Sequence, residues 1–436
     1  MILDIFRAGS GDCILITSDD ETTRILADAG VPEAYKQFIA APLSVLRGRN
    51  KAIDVVYVSH IDQDHIGGVL GMLDTEVAWV VHEHMTGQGK KWKLPAVPRP
   101  PEIKAIWHNA FLETIADSAK VKIDSAALGA ALGQDAAAMA LAHALGMGPA
   151  ALAAAEEYRM LALSVGQAIA VNWRIGPDQL NIPLNPPFNG KLMIWKKSAA
   201  AIQVGPIEAL VLGPTPQNLK DLRDKDWAAY LRSKSGKNAI ASTKKKHAKD
   251  IGDLTSATPI EIVLGGNQTV TPPNVASLVL LLRENGRSVL MTGDADDAEM
   301  LPQFDKAGLL KAGILEVDVL KVPHHGAHNS YSDDFAKTVR AGHYIFCCDG
   351  EHGNPEIDVV EGYIAAVKAA VKSAPLPGGQ KILFWFNCSA QLLAADGNVE
   401  KEKLDHWKEI EKLFKSSTAP FKANFLTKGP SLRLKL

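Results

Sequence analysis

The 436-residue chain contains few cysteines. The four, Cys13, Cys347, Cys348 and Cys388, form no CxxC pattern. Adjacent cysteines seldom pair with each other on geometric grounds, so we expect reduced thiols, as in a cytoplasmic protein. Cys347 and Cys348 lie in an apolar run, which favours a buried strand over redox chemistry.

Long apolar stretches and a leader-like start are also missing. No run of about 18 uninterrupted apolar residues occurs, which predicts no membrane span. The first residues lack a basic segment followed by a long apolar segment and a cleavage site, so we expect no signal peptide. These absences predict a cytoplasmic protein without a membrane anchor.

Charge of one sign is not in excess. The formal net charge is −2 at pH 7, with 47% hydrophobic and 22% charged residues, a balance typical of folded proteins. Net charge alone therefore favours no polyanionic partner. Locally, however, residues 232–249 are rich in lysine. This tract could attract a phosphate backbone or form a solvated loop, and the sequence supports both readings.

Apolar runs and turn residues predict alternating strands and helices. Strands are expected at 2–6, 13–17, 23–27, 53–58, 79–81, 209–212, 259–264, 275–283, 288–292, 317–322, 344–348 and 381–387. Helices are expected at 32–46, after 67, across 102–168 with a start near Trp107, at 217–232 and at 356–373. Polar clusters follow several strands, which is where α/β proteins place functional sites.

The first cluster is His60-Ile61-Asp62-Gln63-Asp64-His65, directly after an apolar strand. Two imidazoles and two carboxylates within six positions are good ligands for a divalent metal. Packing them together without a cation would be costly, since the carboxylates repel and burial penalises their charge. The alternative is a solvated loop in which an aspartate caps the next helix.

Two further clusters follow strands far along the chain. Asp294 ends the predicted hairpin in Thr292-Gly293-Asp294, where it could bridge two metals or simply close a turn. His324, His325 and His328 follow the strand at 317–322. Three imidazoles in five positions, together with the other clusters, favour a site over buried neutral histidines. Asp296 and Asp297 fit better as helix-start residues.

The motifs HxDxDHxGG, TGD and LKVPHHG together resemble the metallo-β-lactamase superfamily. More narrowly, they are similar to the hydrolase domain at the carboxyl end of the ComEC DNA-uptake channel proteins. The opening 6–16 with its GxGD turn, the DAG at 28–30 and the segment 274–294 are also similar to that group. The resemblance covers roughly 1–85 and 270–390. It implies an α/β fold: an αββα metallo-β-lactamase sandwich with a largely helical insertion.

The resemblance also implies roles for individual residues. One metal would be held by His60 and Asp62 and another by Asp64, His65 and His324, with Asp294 as the bridge. His324 is favoured as the ligand over His325, which would contact the substrate. Asp64 would also orient the nucleophile, so Asp64 and His325 are the expected catalytic residues.

Two departures from the superfamily pattern affect the metal. Asp62 stands where a second histidine is usual, and Asn274 lies where a third would be sought before Asp294. The ligand set is therefore rich in oxygen. One or two divalent ions are expected, zinc or manganese being favoured and magnesium possible, and one of the two positions could be weak or empty.

These expectations divide the chain into three parts: a first core half at 1–85, a mostly helical insertion with the basic tract at 86–265, and a second core half at 266–436. The first hypothesis is a phosphodiesterase or nuclease using metal-bound hydroxide, since a bound metal lowers the pKa of water to about 7. Nucleic acid or a nucleotide would be its substrate. Alternatives are amide, ester or lactone hydrolysis, or a non-catalytic metal-binding module that recruits a protein partner through 86–265.

Overall fold

The computed structural model describes residues 1–109, 167–168, 170–221, 276–397, 399–416 and 418–436. Within these ranges the backbone forms two β-sheets that pack face to face, with helices on their outer faces. The α/β class and the αββα layering expected from the sequence are confirmed.

The first sheet has six strands in the order β14-β1-β2-β3-β4-β5. They are β1 (Ile2–Phe6), β2 (Ile14–Thr17), β3 (Arg24–Ala27), β4 (Val55–Tyr57), β5 (Ile106–Trp107) and β14 (Ser431–Lys435). The strands β14, β1, β2 and β3 are antiparallel neighbours, while β3, β4 and β5 run parallel. Strands β2, β3 and β4 are buried along their whole length, which the apolar run of β4 predicts for that strand.

The second sheet has eight strands in the order β13-β12-β11-β10-β9-β8-β7-β6. They are β6 (Ile202–Val204), β7 (Ile207–Gly213), β8 (Val279–Glu284), β9 (Arg287–Met291), β10 (Leu315–Lys321), β11 (Val339–Phe346), β12 (Ile382–Phe386) and β13 (Phe421–Phe425). Strands β9 to β13 are parallel. The predicted β8–β9 hairpin is confirmed, and its loop residues Asn285 and Gly286 both have positive φ, as a two-residue type I′ turn requires.

Helices cover the outer faces of both sheets. They are α1 (Pro32–Ala34), α2 (Ala40–Gly48), α3 (Gln63–Gly87), α4 (Pro216–Asp221), α5 (Asp297–Lys306), α6 (Asp333–Thr338), α7 (Ile357–Ser373), α8 (Ala390–Asp396) and α9 (Lys401–Leu413). A π-helical turn, Tyr35–Ile39, joins α1 to α2. Asp296 caps α5 by accepting a hydrogen bond from the Ala298 amide, so its predicted helix-start role is confirmed.

Alternating side chains fill the layer between the sheets. On β8, Leu280 and Leu282 face the first sheet, whereas Val279 and Leu281 face the outer helices. Burial of each such side chain stabilises the fold by about 1.5–3 kcal/mol. A one-residue slip of β8 would exchange its two faces, so this pattern fixes the strand's register.

The strand predicted at 79–81 is wrong. Residues Trp79 to Val81 continue helix α3, which runs unbroken for 25 residues. The short Trp-Val-Val run has the composition of a strand, but no turn residue separates it from the preceding helix. A strap at 88–97 packs along this end of α3, where the Trp79 indole donates a hydrogen bond to the Val97 carbonyl.

The helix start predicted near Trp107 is also wrong, because Ile106–Trp107 forms strand β5 beside β4. Strands β6 and β7, which also lie within 86–265, extend the second sheet. The remaining helical stretch, the basic tract at 232–249, the strand at 259–264 and Asn274 lie outside the described residues. The boundaries of the proposed insertion stay a prediction.

The topology brings the polar clusters to one edge. Strands β3 and β4 are parallel and end before Asp28 and His60, respectively. Strands β9 and β10 are parallel in the other sheet and end before Asp294 and His324. Since parallel strands end at the same edge of a sheet, four loops from two sheets meet at one rim of the sandwich.

Candidate metal centre

Helix α3 enters the rim through a tightly packed loop. A Cβ added at Gly68 would lie 1.9 Å from the Ala29 carbonyl oxygen, so only glycine lets α3 approach the β3 loop this closely. Asp62 occupies the N-cap position of α3, yet its side chain makes no capping hydrogen bond. The capping alternative for Asp62 therefore does not hold, and its carboxylate is available to the site.

The histidine loop after β10 is strained. His324 and His325 both adopt left-handed backbone conformations, with φ of 48° and 57°. Residues other than glycine adopt this conformation at a cost, and such strain is concentrated at functional sites. The double left-handed turn directs both imidazoles towards Asp294.

All four clustered histidines share one orientation. In each ring, Nδ1 is held by a neighbour and Nε2 faces the other site residues. The Nδ1 partners are Ser59 Oγ for His60 at 3.0 Å, Asp28 Oδ2 for His65 at 2.9 Å, Ser330 Oγ for His324 at 2.8 Å and the Cys347 carbonyl for His325 at 2.8 Å. This is the arrangement by which proteins orient metal-binding imidazoles.

One half of the cluster centres on His65 and His325, whose Nε2 atoms are 3.1 Å apart. The His325 Nε2 lies 3.1 Å from Asp294 Oδ2 and 3.3 Å from Asp64 Oδ2. The His65 Nε2 lies 3.4 Å from Asp294 Oδ1 and 3.8 Å from Asp64 Oδ1. Two imidazoles and two carboxylates thus converge here.

The other half centres on His60. Its Nε2 lies 3.5 Å from Asp62 Oδ2 and 3.8 Å from Asp294 Oδ2. The His324 Nε2 lies 3.7 Å from the same Asp294 oxygen. Asp294 is therefore common to both halves, and the six predicted metal ligands together with His325 form one cluster.

Sequence reasoning assigned no role to three buried residues at this site. Asp12 lies in the turn after β1, and its Oδ1 is 3.2 Å from His325 Nδ1. Asp28 holds His65, and Lys321 contacts both Asp12 and Asp294. Their sequence signals were the GxGD turn, the DAG loop and the lysine of LKVPHHG. Asp12, His65, Asp294 and His325 offer buried ligand atoms within 4.8 Å of one another. Because Asp12 approaches Nδ1 atoms, we place it behind the imidazoles.

The histidines and carboxylates of the cluster shift one another's pKa values. Burial alone would lower the pKa of His65 and of His325, but the carboxylates around them, led by Asp294, outweigh burial and raise both pKa values well above the ordinary range. Burial alone would raise the pKa of Asp294, but His325, His65 and Lys321 outweigh it and lower that pKa. The cluster therefore attracts positive charge at its centre.

The residues fit a divalent metal. Within the described residues, the buried Nε2 of His60 has no hydrogen-bond partner, which marks a polar atom that needs another group. Ligand atoms about 2.0–2.2 Å from a tetrahedral metal lie about 3.3–3.6 Å apart, close to the separations found here. Imidazole and carboxylate donors suit zinc and manganese.

Comparison with known proteins agrees with this geometry. A family model described as the metallo-beta-lactamase superfamily matches residues 6–120. Residues 6–120 are thus similar to the metallo-beta-lactamase superfamily. The two-sheet architecture is consistent with the αββα sandwich of that superfamily, whose members are mostly hydrolases. No curated protein matches the chain.

Other candidate residues lie apart from the cluster. His328 is exposed and pairs with Asp358 at 2.6 Å. His108 is buried beyond β5, and among the described residues neither ring nitrogen has a hydrogen-bond partner. All four cysteines are buried and unpaired, and burial raises the pKa of Cys13, so a thiolate nucleophile is disfavoured.

In the described part of the chain, no helix is long and apolar enough to cross a membrane.

Proposed function

We propose that the protein is a metal-dependent hydrolase of the metallo-β-lactamase type. One observation supports this above the others. Because Nδ1 of His65 faces a carboxylate and Nδ1 of His325 faces a carbonyl, each neutral ring carries its proton on Nδ1. Their unprotonated Nε2 atoms then lie 3.1 Å apart. Two facing lone pairs at this distance repel unless a positive charge lies between them. In the metal-free protein a proton meets this need, as the raised pKa values of both rings indicate, and a divalent ion would displace that proton on binding.

The geometry supports two ion positions that share Asp294. His60, Asp62 and His324 would complete one position, while Asp64, His65 and His325 would complete the other. This differs from the sequence-based assignment, because the two adjacent histidines divide between the positions. His325 would then be a metal ligand as well as a neighbour of the substrate.

The exposure of the ligands defines the side from which a substrate enters. Asp62 and Asp64 retain 28% and 26% side-chain exposure and His324 retains 16%, whereas His60, His65, Asp294 and His325 are almost fully buried. When bound, a divalent ion supplies Lewis-acid chemistry and makes water a nucleophile near neutral pH. Asp64, a ligand at the solvent side, would accept the proton of the attacking water and orient it.

We favour a phosphodiester as the substrate class. The ComEC-type motif set and the lysine-rich tract at 232–249 support this choice, and zinc or manganese is the expected metal. Nucleic acid or a nucleotide as substrate, a cytoplasmic location and a protein partner bound through 86–265 remain predictions from the sequence.

Substitution of Asp64 tests this function directly. With manganese or zinc added, the wild-type protein is expected to hydrolyse bis(p-nitrophenyl) phosphate. Asp64→Asn should lower kcat by a factor of about 10³ or more, because the variant loses a ligand and the proton acceptor together. Asp358→Asn is the control, since Asp358 contacts exposed His328 away from the cluster.

Two results would redirect the assignment. Hydrolysis of lactones, esters or peptides but not of phosphodiesters would favour the second substrate class. If the metal-loaded protein hydrolyses none of these substrate classes, the proposal that it is an enzyme is wrong. A metal-binding module that recruits a protein partner would then be favoured.

A further inference from the structure

A lysine is buried at the base of the metal centre. Lys321 ends β10 and has no solvent exposure. Its Nζ lies 2.5 Å from Asp12 Oδ2, donates a 2.8 Å hydrogen bond to the Gly293 carbonyl and lies 3.4 Å from Asp294 Oδ1. A buried ammonium costs several kcal/mol unless it is paired. Three oxygen contacts supply that pairing.

The lysine reaches both halves of the cluster through these partners. Asp12 lies behind the imidazoles, 3.2 Å from Nδ1 of His325 and 3.9 Å from Nδ1 of His65. Asp294 presents Oδ1 to Lys321 and Oδ2 to His325. The ammonium therefore contacts Asp12, which lies behind two of the proposed ligands, and Asp294, which both proposed ion positions share.

A charge count gives Lys321 a further role. Five aspartates belong to the centre: Asp12, Asp28, Asp62, Asp64 and Asp294. Counted as ionised, with neutral metal-binding imidazoles, they carry five negative charges, of which Lys321 offsets one. The remaining four equal the charge of two divalent ions.

We propose that Lys321 is a built-in cation of the metal centre that neutralises Asp12 and leaves the charge that two divalent ions balance. This inference rests on the proposed function. If Lys321 only filled space, its replacement would weaken metal binding whatever the charge of the new residue. If Lys321 acts through its charge, its replacement by a neutral residue should strengthen metal binding.

Manganese binding by four proteins tests the proposal. Metal-free wild type, Lys321→Met, Asp12→Asn and the double variant are titrated with Mn²⁺ at pH 8 by calorimetry, and bound metal is counted by elemental analysis. We expect two ions per wild-type chain. Lys321→Met should bind about tenfold more tightly and Asp12→Asn about tenfold more weakly, because each shifts the site by one charge. The double variant should return close to wild type.

Unfolding of the metal-free proteins gives an independent readout. Each single variant leaves one buried charge without its nearest partner of opposite charge, whereas the double variant removes both charges, so the double variant should be more stable than either single variant. A double variant that binds Mn²⁺ more weakly than Asp12→Asn, or that is no more stable than the single variants, would overturn the role of Lys321. Wild type that binds one ion would contradict the charge count. Wild type that binds none would instead refute the proposed function.

Discussion

At the scale of the residue, the imidazole nitrogens determine what the site can do. The position of each Nδ1 partner favours a proton on that side of the ring and leaves Nε2 as the atom that would bind a metal. Ser59 and Ser330 hold His60 and His324 from within the same loops, whereas Asp28 and the Cys347 carbonyl hold His65 and His325 from distant parts of the chain. The ligand types are therefore readable in the sequence, whereas the distant partners that orient His65 and His325 are not.

His108 allows a test of buried imidazole outside the cluster. Burial lowers its pKa from the ordinary 6.5 to about 4. Between pH 6.5 and pH 4, His108 therefore binds a proton in the unfolded chain but stays neutral in the folded chain. The free energy of unfolding falls as pH drops from about 6.5 towards 4. From pH 7.5 to 5, this residue should account for a loss of about 2 kcal/mol in the free energy of unfolding.

Urea unfolding at the two pH values measures that loss. His108→Leu should lose about 2 kcal/mol less than wild type over the same interval. The exposed His84→Leu serves as a control and should keep the wild-type dependence. Equal pH dependence in wild type and His108→Leu would show that His108 is not a buried neutral imidazole.

The sequence could predict the three clusters because each is local and follows a strand. It could not assign His324 and His325 to separate ion positions, since that assignment depends on the left-handed backbone conformation of both residues. The burial of Lys321 was equally unpredictable from the sequence. A lysine at a strand end ordinarily reaches solvent, and only the position of Asp12 in the other sheet shows why it is buried.

Among the secondary-structure elements, helix α3 carries Asp64 and His65 of the candidate metal centre, and its entry angle decides their positions. Asp64 and His65 lie in its first turn, and Gly68 lies one turn further along against the β3 loop. The strand predicted at 79–81 from local sequence preference was wrong, because these residues belong to the far end of this helix. The helix continues there because its tertiary contacts with the strap outweigh β propensity.

Gly68→Ala tests whether this entry angle matters. The added Cβ would overlap the Ala29 carbonyl, so α3 must shift and carry Asp64 and His65 with it. We expect a loss of about 3 kcal/mol or more in the free energy of unfolding and weaker Mn²⁺ binding. Gly87→Ala, at the end of the same helix, adds a Cβ with no neighbouring atom within 4 Å and should leave Mn²⁺ binding unchanged without lowering the free energy of unfolding. A stable Gly68→Ala with normal metal binding would refute the packing argument.

For the whole molecule, the candidate metal centre depends on contacts between distant parts of the chain. The β4 loop lies on one sheet and the β9 and β10 loops on the other. The last strand, β14, pairs with the first, and Asp4 on β1 binds Arg433. The two-layer class was predictable from alternation and motifs. The strand order was not, because β5, β6 and β7 come from a segment that lacks those motifs.

We propose that loops from both sheets hold divalent ions through imidazole Nε2 atoms and a shared Asp294. Anomalous X-ray diffraction from crystals of the Mn²⁺-loaded protein locates the bound ions. Two manganese peaks are expected, one between His60 and His324 and one between His65 and His325, with Asp294 contacting both. Manganese bound elsewhere, with no peak among these residues, would contradict it.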